Sequence, residues 1–323
     1  MTRLVHAGSV VVDYVYRLDA LPAPGAEKTA VSHERLAGGG FNMMAAARRT
    51  GMAVVFAGRH GSGPDGDFLR AALAREGVSV ALPAAEGADS GNSVVLVTDD
   101  AERTFVSWPG SESVLTEADL AAVSLEPGDW VFVSGYTLSY PGSRTALADW
   151  IEALPADVPL VFDPSPVVAD IPGGILRRVL ARTTWLSCNN AEAAVIAGSG
   201  DARADAAALV PHHCPLAAGT IVRGGGAGAL LHLRDGTAAS VPAFKVTAID
   251  TNGAGDTHIG AFVSVLARGD APLDALRYAN AAAAISVTRR GGSSAPTDDE
   301  IREFLAARPN EATAVGRRTR MTA

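Results

Sequence analysis

From residue 129 onward the sequence alternates between short apolar runs of strand-forming residues and stretches with helical spacing. DWVFVSG is followed by a helix to residue 154, PLVFDPSP by a helix to residue 181, and TWLSCNN by AEAAVIAG. A chain that repeats strand and helix in this way has few folds open to it, because parallel neighbours need a helix to carry the chain back across the sheet. Its strands also read as near-continuous hydrophobic runs, as expected of a sheet covered on both faces. A mainly parallel sheet between two helical layers follows. Ligands gather at the carboxyl ends of such strands, so polar residues that directly follow a strand are the ones to examine.

The most informative of these stretches is residues 248–262, AIDTNGAGDTHIGAF. Gly253 and Gly255 flank Ala254 just before an apolar helical run, so small residues let the backbone turn and a ligand approach closely. Amides at the start of that helix face outward, and the helix dipole favours negative charge there. Asp256 stands in the same turn, where a carboxylate repels a resting phosphate but is well placed to take a proton. A carboxylate beside a hydroxyl, with amides facing a transferring phosphoryl group, is the minimum needed to phosphorylate an alcohol. Two other readings stand beside this one. A dinucleotide fingerprint would put its third glycine at His258, and a glycine-capped turn before a core helix needs no ligand at all. No GxxxxGK[ST] string occurs, so a P-loop is not available.

The string 250–257, DTNGAGDT, resembles the C-terminal signature of the ribokinase-like carbohydrate kinases, the PfkB family. Other landmarks of that family follow in the expected order from about residue 4 to residue 296. The resemblance implies a ribokinase-like three-layer α/β/α sandwich with a mainly parallel central sheet and a small β-sheet lid. The kinase domain would span residues 1–308, with lid segments at about 14–36 and 92–110, before a flexible tail, 309–323. It also implies ATP-dependent phosphorylation of a hydroxymethyl group on a small sugar, ribokinase- or fructokinase-like, with Asp256 as base and Gly253, Ala254 and Gly255 completing the anion hole.

Site residues follow from the same resemblance. Residues 4–12 read as one buried strand ending at Asp13, which matches the sugar-binding aspartate; a turn or capping role is its structural alternative. The run 37–42, AGGGFN, is similar to the family's GGxxxN motif, with Gly38, Gly39 and Gly40 close to the sugar and Asn42 contacting it or capping the next helix. Ala37 replaces the motif's first glycine, Gly39 stands where ribokinase has a lysine, and a sugar-binding glutamate is missing near Gly135 and Tyr136. The lid hairpin 92–110 has strands VVLV and RTFVSW about a turn at Asp99, Asp100, Ala101 and Glu102.

On the nucleotide side, Asn189 and Glu192 match an NxxE motif near magnesium and phosphate, and can equally form a helix-capping pair. Arg223, Gly225 and Gly228 match a KxGxxG-type segment, and Asn280 matches a region lining the adenine pocket. ATP and Mg²⁺ are the implied cofactors. A monovalent cation such as K⁺ would bind through Asp250, Ser286, Arg289 and Gly291. A nucleoside kinase would use the same apparatus with an aromatic platform from Phe41, Tyr14 or Trp108. A non-catalytic sugar-binding protein on this fold would keep Asp13 and Asn42 without needing Asp256.

Composition narrows the partners. With 48% hydrophobic and 19% charged residues and a net charge of −8, the chain gives no general electrostatic reason to bind nucleic acid. No run approaches the ~18 apolar residues of a membrane span. The start, MTRLVHAGSVVVDYV, passes from one arginine into a strand without a cleavage site, so a cytoplasmic protein is expected. Cys188 and Cys214 match no metal spacing and read as packing residues. His212, His213 and Cys214, between Pro211 and Pro215, read as a surface turn. The resemblance to the PfkB family further implies a homodimer through the exposed apolar face of the lid.

Overall fold

The computed structural model of the protein describes residues 2–100, 102–198 and 210–318. Among them, fourteen strands form two sheets. β1 (Arg3–His6) lies in the large sheet, and β2 (Val10–Arg17) and β3 (Ser32–Gly39) in the small one. β4 (Ala53–Phe56) and β5 (Ser79–Val80) return to the large sheet, and β6 (Asn92–Val97) and β7 (Arg103–Trp108) complete the small one. The remaining strands are all in the large sheet: β8 (Trp130–Ser134), β9 (Leu160–Asp163), β10 (Trp185–Asn189), β11 (Gly219–Arg223), β12 (Ala229–Leu233), β13 (Thr237–Val241) and β14 (Val315–Arg318). Its order is 14-13-12-11-10-9-8-1-4-5. All pairs from β5 across to β11 are parallel, and β12 to β14 extend the sheet antiparallel.

The helices are α1 (Phe41–Arg49), α2 (Pro64–Arg75), α3 (Glu117–Ala121), α4 (Gly135–Ser139), α5 (Arg144–Ala153), α6 (Gly173–Arg182), α7 (Asn190–Ala197), α8 (Ala254–Ala267), α9 (Pro272–Ser286) and α10 (Asp298–Ala306). They cover both faces. Alternate residues of one strand enter different cores: Leu4, Phe132 and Val161 pack with Phe41, Met43, Phe262 and Leu276 on one side. Val5, Val131, Val133 and Phe162 pack with Leu138, Leu147 and Val179 on the other. Two buried faces explain why these strands read as unbroken apolar runs.

The small sheet runs β3-β2-β6-β7, with β2 and β6 parallel and both outer pairs antiparallel. Residues 4–12, expected as one strand, are two. β1 stops at His6, Gly8 and Ser9 lead the chain out of the large sheet, and β2 begins at Val10 as a lid strand. Asp13 therefore sits inside the lid rather than at the end of a central strand. A side chain at Gly8 would come within 2.2 Å of the His6 ring. Valines continue on both sides of this break and hide it from a reading of periodicity. In the stretch expected to be a flexible tail, Val315–Arg318 pairs antiparallel with β13.

Candidate active site

Two helix N-termini meet where the lid covers the large sheet. A Cβ added at Gly260 of α8 would lie 2.5 Å from the Met43 carbonyl and 2.7 Å from the Ala46 side chain, so α8 and the alanine-rich α1 touch backbone to backbone. That crossing brings Asn42, in the first turn of α1, beside Asp256, in the first turn of α8. Asn42 does not cap its helix: Gly40 is the N-cap residue and makes no side-chain bond. The helix starts earlier than expected, which frees the amide for the site. Its Oδ1 is buried without a partner among the described residues, an acceptor held ready for a ligand's hydroxyl.

The signature turn is built on Gly253, whose φ of 71° is left-handed. A Cβ there would lie 2.1 Å from the Gly292 carbonyl, so glycine is required for space as well as for conformation. The Ala254 amide donates to the Thr251 carbonyl at 3.3 Å, and the helical ladder begins with Thr257 N–H to the Gly253 carbonyl at 2.8 Å. The amides of Gly255 and Asp256 come ahead of that rung, at the positive end of the helix dipole. Desolvation pushes the Asp256 carboxyl up to about 7, and Asp163 and Asp13 add to the shift against the opposing pull of Arg223 and a hydrogen bond from Asn42. Such a group holds or releases a proton near neutral pH.

Asp13 faces this turn from the lid. A side chain at Gly38, on the neighbouring strand, would sit 2.2 Å from Asp13 Oδ2, and burial raises the Asp13 carboxyl to about 6. Gly39 turns with a φ of +62°, and at Gly40 a Cβ would meet the His6 ring at 2.2 Å. The glycine run thus lets the β3–α1 connection lie flat against Asp13 and His6.

Below the turn, Arg223 at the end of β11 donates to Ser187 Oγ at 2.6 Å and Asp163 Oδ2 at 3.2 Å, and lies 3.6 Å from Glu192 Oε2. A Cβ at Gly255 would be 3.7 Å from its guanidinium. Burial and Asp163 push the Glu192 carboxyl up to about 7, while Arg223 lowers it. Asn189 and Glu192 form the capping box of α7: Asn189 Oδ1 accepts the Glu192 amide at 2.9 Å, and Glu192 Oε2 accepts the Asn189 amide at 2.7 Å. Gly225 has φ +57° and Gly228 φ +95°, and a Cβ at Gly228 would lie 2.1 Å from the Val241 carbonyl. Asn280 is buried; its amide donates to the Val241 and Pro242 carbonyls at 2.9 and 3.1 Å, and its Oδ1 meets His258 Nε2 at 3.1 Å. It braces the wall of this region with every side-chain atom that can hydrogen-bond.

The four residues expected at a monovalent cation are near one another but engaged. Asp250 accepts the amides of Asn252 at 2.8 Å and Gly291 at 3.1 Å, and forms an ion pair with Arg103 of β7. The Ser286 carbonyl accepts from the Arg289 amide at 3.0 Å and Ser294 Oγ at 3.1 Å. The Arg289 side chain pairs with Glu300 at 2.5 Å.

Sequence reasoning missed Asp163 and Arg103. Asp163 ends β9 and is followed by proline, the strand-then-turn position at which ligand-facing polar residues occur, and that signal was present. Arg103 carries no local signal, because its partner lies 147 residues away. Tyr136, expected at the crevice, follows β8; desolvation first, then Asp256, Asp163 and Glu192, raise its phenol to about 12. His212 and His213 are exposed in a short 3₁₀ turn, and Cys214 and Cys188 are buried free thiols. Of the three aromatic residues suited to holding a base, Phe41 is buried in the core, Tyr14 donates its hydroxyl to Asp65 at 2.6 Å, and Trp108 is 72% exposed. No helix among the described residues is long and apolar enough to cross a membrane.

Comparison with known proteins agrees with this architecture. The sequence profile of the pfkB family carbohydrate kinases matches residues 1–299. The chain is 34% identical over 296 residues to the "uncharacterized sugar kinase YegV" of Escherichia coli (strain K12), covering 91% of each chain. It is 30% identical over 308 residues to the ribokinase of Haemophilus influenzae, covering 92% of this chain and 96% of that one. Among solved structures, the aminoimidazole riboside kinase of Salmonella enterica, complexed with aminoimidazole riboside and an ATP analog, superposes with a TM-score of 0.77 at 25% identity, covering 94% of this chain and all 100% of that one.

Proposed function

This chain belongs to the pfkB family of carbohydrate kinases, and on that premise we propose that it transfers the γ-phosphoryl group of ATP to a hydroxymethyl group of a small sugar. The observation that carries this reading is the convergence of Asp13, Asn42 and the signature turn around a carboxyl, Asp256, held at about 7. A base with that pKa takes a proton from the acceptor hydroxyl at neutral pH without being locked in either state.

Each residue has a part in the proposed reaction. Asp13 and Asn42 hydrogen-bond sugar hydroxyls, and Gly38, Gly39 and Gly40 let the sugar approach the backbone. Asp256 accepts the hydroxyl proton as the oxygen attacks the γ-phosphorus. The first-turn amides of α8, with Gly253, Ala254 and Gly255 shaping the turn, face the charge on the phosphoryl oxygens. Arg223 neutralises phosphate charge from beneath, Gly225 and Gly228 form the nucleotide-side turn, and Asn280 braces it. The lid keeps water from competing for the phosphoryl group.

Magnesium fits this donor set. Asp163 and Glu192 share one arginine, so two carboxyl groups meet a single guanidinium, a set of oxygens that suits a divalent cation. These two and Asn189 would hold it largely through water, as magnesium prefers. When bound, it screens the nucleotide phosphates.

The aromatic side chains favour a sugar over a nucleoside, since Phe41 is buried and Tyr14 is tied to Asp65. In and beside the lid strands, Val31, Phe105, Val106 and Trp108 are all exposed, and we read the lid as a homodimer contact. An ATP-consuming reaction and two free thiols fit the cytoplasm. Residues 1–308 act as one kinase unit in this reading.

The test is ADP release from ATP and magnesium across pentoses, hexoses and ribosides, with the product identified as a phosphomonoester by phosphorus NMR. Turnover with one acceptor is the expected result. Tight binding of a sugar without ADP release from any acceptor would replace the kinase with a sugar-binding protein.

A further inference from the structure

Arg103 is less exposed than the rest of β7. It lies on the face of the lid that carries Asp13 and Val95. Whereas Phe105, Val106 and Trp108 are exposed, the Arg103 side chain reaches the body, where it is 18% exposed and pairs with Asp250, whose side chain is 8% exposed. Among the described residues, Arg103 is the only ion-pair partner of Asp250.

Asp250 is itself a junction. Its Oδ1 accepts the amide of Asn252, the residue before the left-handed Gly253, and its Oδ2 accepts the amide of Gly291. Gly291 precedes Gly292, whose carbonyl packs where a Gly253 side chain would be. The amides of Ile249 and Asp250 also donate to the Val287 carbonyl, at 2.7 and 3.1 Å. One carboxylate thus fastens both sides of the signature turn, and the guanidinium that neutralises it comes from the lid. If the lid lifted, Asp250 would lose its counter-charge, which weakens the hold on the turn.

We propose that Arg103 is a positioning residue: by pairing with Asp250 it couples closure of the lid to the order of the anion-hole turn, and its guanidinium supplies the positive charge that a monovalent cation would otherwise bring. This rests on the kinase reading for its catalytic consequence, but the structural coupling stands apart from it. The acceptor sugar, in closing the lid, would set the phosphoryl-binding amides at the same moment. ATP is then held in a reactive arrangement only when an acceptor is present.

The experiment compares wild type, Arg103→Met, Arg103→Lys and Asp250→Asn in potassium chloride and in tetramethylammonium chloride at equal ionic strength. Wild-type kcat should be the same in both salts. Arg103→Met should lose roughly 10–100-fold in kcat, the penalty of a misplaced reacting group, with a smaller change in KM for ATP. Added potassium or guanidinium ion should restore part of that loss, and Arg103→Lys should keep more activity than Arg103→Met. Combining Arg103→Met with Asp250→Asn should cost less than the sum of the two. Hydrogen exchange without ligands gives an independent reading: Arg103→Met should speed exchange at residues 250–257 and 287–293 and leave β8 to β11 unchanged.

A potassium-dependent wild type, or an Arg103→Met enzyme with unaltered kcat, would overturn the positioning role. So would unaltered exchange at those residues. If wild type phosphorylates no acceptor, the kinase reading fails, and the exchange result alone then decides whether the latch exists.

Discussion

The body and the lid are both made of short valine-rich strands, but they are held together by different forces. In the body, ten strands lie between two cores, and side chains such as Phe262, Leu69 and Phe132 are almost fully buried. The lid has four strands and, besides Val10, Val12 and Ala37 at its base in the body's core, a small separate cluster of Val15, Val95 and Val97 with Leu36. Phe105 beside that cluster, and Val106 and Trp108 on the opposite face, are exposed. Beyond the base, the contacts that fix the lid are polar. Asp65, at the start of α2, receives Tyr14 at 2.6 Å, Arg35 at 2.5 Å and Asn92 at 3.2 Å, and Arg103 reaches Asp250. A large apolar core makes a rigid platform, whereas a few charged contacts make an attachment that can open. Catalysis by this fold needs both, because the helix N-termini must be fixed and the sugar must enter.

Single substitutions can break that contrast. Phe262→Ala should cost about 3–5 kcal/mol, as large-to-small changes in a closed core do, and lower the urea midpoint of the whole protein. Asp65→Asn should cost about 1.5–3 kcal/mol, the range for hydrogen bonds to a charged group, seen as faster hydrogen exchange in β2, β3 and β6 with β8 to β11 unchanged. Val95→Ala should cost about 1–2 kcal/mol from two lost methyl groups; a cost equal to that of Phe262→Ala would erase the distinction between the regions. Thr297→Ala, which removes the cap of α10, should cost about 1 kcal/mol and leave the lid untouched.

The pH dependence of stability separates the site from both. The Asp256 carboxyl titrates at about 7 in the folded protein against 3.8 for the free side chain. Between those values the folded state binds more protons than the unfolded one, so this group makes stability fall as pH rises. Asp256→Asn should therefore raise the melting temperature at pH 8 relative to wild type, with the gain shrinking toward pH 4. An equal gain at both pH values would place its cause elsewhere.

What the sequence made legible follows the range of the interactions. The repeating strands and helices, the lid hairpin, the turn at Gly253 and the Asn189–Glu192 capping pair are written in neighbouring residues. The break at Gly8 and Ser9 was not, because apolar residues continue into a second, separate sheet. Asn42 read both as a sugar contact and as a helix cap, because capping residues and site residues share the same chemistry; the structure, with Gly40 as the N-cap residue, removes the second role. The Asp163–Arg223–Glu192 cluster joins the ends of β9 and β11 to the first turn of α7, and Arg103–Asp250 joins the lid to the body. Such pairs depend on how the sheets are stacked, which no local pattern encodes.

The central claim is that Asp256 removes the acceptor's proton inside a crevice closed by the lid. The direct measurement is the pH profile of kcat/KM for the sugar in wild type and in Asp256→Asn. The account predicts a wild-type rate that rises with pH to a plateau above about 7, and a variant at least ~100-fold slower, as loss of a general base implies, without that inflection. A variant that keeps wild-type turnover, or the same inflection, would contradict it.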